Sequence, residues 1–232
     1  MCNLSVVERN GPSGREALVK AARRLFAEEG IDVVSLREVV RAAGHRNTNA
    51  VQYHFHDREG LLTAVVEPFE REIGARRAAL VGMLAAEATP SLRSIAGALV
   101  RPSAAMLEHR EGREHLRIVA ELIADIDRFS SATGNADNSL AQWDKVARAN
   151  MADTTLPLHR RYAAISLCFV QLGRRAANRR RPDHRLFVSD LIDLVTGVLE
   201  ADVSEETQVL LAERDRQRAA KELNTQTAKA ST

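Results

Sequence analysis

The sequence predicts an all-α protein, and three observations carry that expectation. Apolar residues recur at spacings of three and four along most of the 232 residues; that is the period of one helix face. No stretch alternates apolar and polar residues long enough to read as a half-buried strand. Aromatic residues make up 4% of the chain, fewer than a β-sandwich core of this size would use. With 45% hydrophobic and 28% charged residues, the composition is that of an ordinary folded chain.

The first element is predicted from Leu18, Ala21, Ala22, Leu25 and Phe26, which form a stripe opposite Arg15, Lys20, Arg23, Arg24 and Glu28. It should end at Gly30, the residue type best suited to a left-handed terminal turn. In "SLREVVRAAG", Ser35 and Glu38 have the spacing of a capping box, and Leu36, Val39, Val40 and Ala43 form an apolar stripe that stops before Gly44. A third short helix is expected in "NTNAVQYHF". Rotation by 100° per residue puts Thr48, Asn49, Gln52 and Tyr53 on one arc and Ala50, Val51, His54 and Phe55 on the other.

Asp57 is suited to cap a long fourth helix that Pro68 should kink or divide, because proline lacks the N–H and its ring crowds the preceding turn. Further helices are expected near 91–109, 112–129, 139–151, 156–178 and 185–201, separated by turn-rich "ATGNADN" and "NRRRPDH". One more exposed helix should follow, with a disordered tail after about Leu223. There is no internal repeat.

Function has to come from local arrangement, since the formal net charge of +2 creates no general basic field. Cys2 and Cys168 do not suggest a disulfide framework, and neither a signal peptide nor a membrane-spanning run of about 18 apolar residues is present. A cytoplasmic protein is expected. No nucleophile, carboxylate pair or metal set forms a catalytic constellation, so no catalytic residue, cofactor or metal is expected. His54 and His56 flank a helix end without a third ligand. His109 and His115, six apart, point to different helix faces. The run Arg179, Arg180, Arg181 reads more simply as a solvated loop than as a nucleic-acid patch.

Three short helices, with a glycine-containing turn before the third and a polar outward arc on it, satisfy the requirements of a helix-turn-helix. Asn and Gln can pair with adenine edges, Arg with guanine, and the Thr methyl group with thymine. The segment "REALVKAARRLFAEEGIDVVSLREVVRAAG" followed by "AVQYHFHDREGLLTAVV" resembles the DNA-binding region of TetR-family transcriptional regulators over roughly residues 14–66. The resemblance rests on the paired alanines before Leu25-Phe26, Gly30, Ser35, Ala43-Gly44 and Tyr53-His54-Phe55. Two features depart from the family pattern: the turn after Gly44 is one residue longer, and Gln52 stands where a tyrosine is frequent.

Matched by position, the resemblance implies groove contacts from Thr48, Asn49, Gln52 and Tyr53, and phosphate contacts from Arg37, Arg46, Asn47, His54 and Arg58. Asn47 also reads as a simple cap, and His54 as a packed histidine. The implied organisation is a flexible arm (1–13), a DNA-binding domain (14–66), a helical effector-binding and dimerisation domain (67–203), and a C-terminal helix and tail (204–232).

Met106, Trp143, Met151 and Phe169 are candidates for an effector pocket, with plain core packing as the alternative. The last two helices before the tail should bury Leu158, Ile165, Phe169, Leu172, Leu191, Leu194, Val195 and Val198 against a second copy. The expected function is a homodimeric repressor that binds double-stranded operator DNA and is released by an unknown small-molecule effector. The alternatives are an effector-independent architectural DNA binder and, less favoured, a helical enzyme. Operator position, which no protein sequence records, decides between repression and activation.

Overall fold

The computed structural model describes residues 14–45, 49–133, 138–178 and 183–230. Among these there are eleven α-helices and no strand: α1 Gly14–Glu29, α2 Leu36–Ala42, α3 Asn49–Phe55, α4 Arg58–Ala85, α5 Leu92–Ala104, α6 Arg110–Leu122, α7 Ile126–Thr133, α8 Ser139–Asn150, α9 Arg160–Ala177, α10 Arg185–Glu200 and α11 Glu205–Ala230. A 3-10 turn, Ala105–Glu108, joins α5 to α6. No helix among the described residues is long and apolar enough to cross a membrane.

Local signals begin and end the elements where expected. Gly30 ends α1 at φ +101, its N–H bonded to the Phe26 carbonyl at 3.0 Å. Ser35 and Glu38 form the reciprocal capping box of α2, each satisfying a backbone N–H of the other residue. The Asp57 carboxylate accepts from the Gly60 N–H at 2.7 Å and starts α4.

Three expectations need correction. The segment 112–129 is two helices, α6 and α7, separated at residues 123–125. Nor does Pro68 divide the long fourth helix: α4 runs without interruption through it. Pro68 is exposed, which keeps its ring clear of the core. At the end of the chain, α11 continues past Leu223, where a tail was expected, to Ala230. The arm at residues 1–13 and the arginines at 179–181 lie outside the described residues.

Apolar side chains gather in two clusters, and α4 passes from one to the other. Leu61, Leu62, Val65 and Val66 join Leu18, Phe26, Ile31, Val39, Val51 and Phe55 in the first. Ile73, Val81 and Leu84 join Leu99, Leu107, Trp143, Cys168 and Val195 in the second. Pro68 lies between the two contributions. The first cluster also takes Ile118, Val119 and Leu122 from α6, Phe129 from α7 and Phe169 from α9. The three N-terminal helices therefore complete their core with side chains from much later in the chain.

Polar contacts fix the same junction. Glu121 on α6 accepts from the Ile31 N–H at 3.0 Å. Arg23 on α1 reaches Glu114 at 3.1 Å and lies over the Phe69 ring. Arg128 on α7 pairs with Asp32 at 2.9 Å. Deeper in the bundle, Trp143 donates its indole N–H to the Ile95 carbonyl at 2.8 Å and so holds α8 to α5.

Candidate DNA-binding site

The turn between α2 and α3 is built on Gly44. Its φ of +79 is a left-handed conformation that costs a side-chain-bearing residue about 1 kcal/mol or more. The His45 N–H bonds to the Val40 carbonyl at 3.0 Å and the Gly44 N–H to the Arg41 carbonyl at 3.1 Å. This is the paired closure of a Schellman motif, which satisfies two carbonyls at the end of α2 and turns the chain sharply.

The third helix is seated by its apolar arc. Val51 and Phe55 are buried, and the Arg15 guanidinium of α1 lies 5.1 Å from the centre of the Phe55 ring. The opposite side faces outward: Gln52 is exposed, and Tyr53 is 82% exposed. An exposed tyrosine two residues from each of two core positions is what the 100° rotation requires, and it turns the ring and hydroxyl outward. His54 is half-buried, its ring meeting the Tyr53 ring edge-on at 4.9 Å. Beyond Phe55, His56 takes φ +68. Left-handed backbone at a histidine costs about 1–2 kcal/mol, and here it ends α3 so abruptly that Asp57 can start α4 at once. Nothing in residue spacing announced that role.

The other site expectations meet different fates. Arg37 is exposed on α2, compatible with a backbone contact. Arg46, Asn47 and Thr48 lie outside the described residues; Asn49 opens α3, but its side chain is also outside them. Arg58 has a structural role. Its guanidinium donates to the Ile31 carbonyl and, at 2.8 Å, to the Val34 carbonyl, and it lies over the Phe26 ring. Both bonds come from Nη2 and hold the α1–α2 loop from within.

The four effector-pocket candidates are core residues. Met106, Trp143, Met151 and Phe169 are all buried, and none of them lines a cleft described for these residues. One such cleft, of about 530 Å³, lies between the end of α4 and α8 and is lined by Val81, Leu84 and Val146 with Gln142, Lys145 and Asn150. The dimer expectation is also narrowed. Phe169, Leu172, Leu191 and Val195 are spent on the chain's own core. On α10, Leu194 remains 49% exposed and Leu186 81% exposed.

Comparison with known proteins places this geometry. Residues 18–65 match the model of bacterial regulatory proteins of the tetR family. Over those residues the helix-turn-helix region is similar to the tetR family. The match takes in α2, the Gly44 turn and α3, and it supports DNA-binding regulation of transcription. A search of curated proteins found no match. Among solved structures, the chain is similar to NalD of Pseudomonas aeruginosa, the secondary repressor of the MexAB-OprM multidrug efflux pump. Identity is 19%, 82% of this chain and 97% of that one are covered, and the TM-score is 0.54. It is also similar to AmtR of Mycobacterium smegmatis at 16% identity, with 85% and 91% covered and a TM-score of 0.52. These likenesses are of fold, and they cover most of the helical body.

Proposed function

We propose that this chain is a cytoplasmic, sequence-specific repressor that binds a palindromic operator as a homodimer and leaves it when a small molecule enters the helical body. The observation that carries the reading is the outward Gln52–Tyr53 arc on a helix held from behind by Val51 and Phe55. A polar arc on a rigid support is how a recognition helix meets base edges, and one such helix covers too few base pairs for useful specificity without a symmetric partner. Arg37 and His54 flank the arc and serve the phosphates in this reading, as do Arg46 and Asn47. Thr48 and Asn49 complete the groove-facing set. The α10 face with Leu186 and Leu194 is available for the partner.

The effector reading has support in the bundle. Glu70 and His115 are fully buried, with the imidazole Nε2 2.9 Å from the carboxylate Oε1 and the ring stacked on Phe69. Glu70 Oε2, His115 Nδ1 and Ser103 Oγ are buried with no hydrogen-bond partner among the described residues. Buried polar atoms are nearly always paired, so the Glu70–His115 pair suits an entering polar molecule better than an apolar one. Such a ligand would act on α4 and α6, the helices that brace α1–α3, and it can shift the equilibrium only as far as it prefers one arrangement of them.

The test is a footprint of the purified protein on DNA flanking its own gene, repeated with Gln52→Ala and Tyr53→Ala. Each substitution should weaken protection by about 1–3 kcal/mol without lowering thermal stability. Protection unchanged in both variants would show that the arc does not read the groove.

A further inference from the structure

The cleft of about 530 Å³ between the end of α4 and α8 falls within the size range of sites that hold small molecules. Its walls are largely apolar: Val81 and Leu84 come from α4, Val146 and Ala149 from α8, and Pro90 from the connection beyond α4. It is separate from the buried Glu70–His115 pair. Val81 stands eleven positions beyond Glu70 on α4, about 16 Å along the helix axis.

Two opposite charges line this cleft, Glu87 just past α4 and Lys145 on α8. Earlier on α4, exposed charges pair with neighbours four residues away: Arg71 with Glu67 at 2.7 Å, and Arg76 with Glu72 at 2.6 Å. Glu87 and Lys145 form no ion pair among the described residues, with each other or with any third group. Lys145 has only Ala141 and Ala149 at the spacing where a helix would supply a partner. Gln142 and Asn150 add carboxamides to the same walls; Asn150 donates through Nδ2 to the Val146 carbonyl at 2.8 Å, which leaves its Oδ1 as an acceptor. Such a lining complements a molecule that carries an ammonium, a carboxylate and amide groups on an apolar body.

We propose that this cleft binds a short apolar peptide, with its N-terminal ammonium at Glu87, its C-terminal carboxylate at Lys145 and its side chains against Val81, Leu84 and Val146. A fatty acid would meet Glu87 as a like charge, and a lipophilic amine would meet Lys145 as one. Only a ligand with both charges suits both. The apolar walls supply most of the affinity, because a charge pair at an exposed site contributes only a few-fold. The two termini supply the orientation.

The test is titration calorimetry of the full-length chain, without DNA, using trileucine, its N-acetylated form and its C-terminal amide. Trileucine should bind once per chain, and blocking either terminus should weaken binding about threefold. Glu87→Gln should remove the penalty for acetylation and keep that for amidation, and Lys145→Gln should do the reverse, because each substitution deletes one of the two matched charges. Both positions are exposed, so neither change should lower thermal stability. Ala149→Trp, which fills the cleft from an exposed position, should block binding. No binding of trileucine, equal affinity for all three compounds, penalties that both glutamine variants leave unchanged, or binding that persists in Ala149→Trp would each overturn the assignment. Footprinting on DNA is a separate measurement, so a failure here leaves the operator reading standing.

Discussion

Arg58 shows how a side chain expected at a surface contact can also hold the fold together. Its place just after the third helix suggests a phosphate contact, but it donates to the carbonyls of Ile31 and Val34 and covers Phe26. Those carbonyls belong to the loop that joins α1 to α2, where backbone groups have no helical partner. Replacing Arg58 with Met keeps much of the stem and removes both donors. Hydrogen bonds from a charged group contribute about 1.5–3 kcal/mol each, and the freed carbonyls can partly turn to water. Urea unfolding should therefore show a loss of about 2–3 kcal/mol. A variant with unchanged stability and a shallower salt dependence of DNA binding would return Arg58 to the phosphates. Cys168 is a quieter case: burial pushes its thiol up to about 12, so it stays protonated and inert at neutral pH.

At the scale of the element, α2 depends on its first turn. It has seven residues, too few to persist by propensity, and Ser35 with Glu38 satisfies its starting N–H groups. Ser35→Ala should cost about 1 kcal/mol, measured by thermal or urea unfolding. The box also sets a pH dependence. The Glu38 carboxyl is held below its usual range first by the Ser35 backbone N–H and then by the Ser35 hydroxyl. Because the folded value is depressed, the contribution is complete above the unfolded carboxylate value of about 4.3 and disappears as pH falls through the lower folded value. Glu38→Gln should remove that acid-side loss. If stability between pH 5 and pH 3 falls equally in both proteins, the box has no measurable part in it.

For the whole molecule, the decisive feature is that α4 belongs to both cores. Pro68 removes one N–H from that helix and leaves the Ala64 carbonyl without its usual partner, at the point where α4 passes from one cluster to the other. A weakened turn there is suited to let the α1–α3 unit change its angle to the body, which is what control of DNA binding from a distant ligand requires. Pro68→Ala should stiffen the junction. In a Cys2→Ala background, spin labels at Gln52→Cys in the two subunits of the proposed dimer should show a narrower distance distribution, and affinity for the proposed operator should change with it. An unaltered distribution together with unaltered affinity would leave Pro68 without a part in switching.

Much of this architecture was legible in the sequence because it rests on local physics. Capping at Ser35 and Asp57, left-handed turns at Gly30 and Gly44, and the 3.6-residue period that turns Gln52 and Tyr53 away from Val51 and Phe55 all act within a few residues. These signals located α1 to α4 and the polar arc of the candidate site. What they could not supply was the partner of each side chain. Arg58 turning inward, Phe169 and Leu172 filling their own core instead of a dimer seam, α6 lending Glu121 and Ile118 to the N-terminal unit, and the Glu70–His115 pair all join residues tens of positions apart. Spacing along the chain records which face of a helix is apolar; only the packed structure decides what that face meets, because burial is a property of neighbours and not of order.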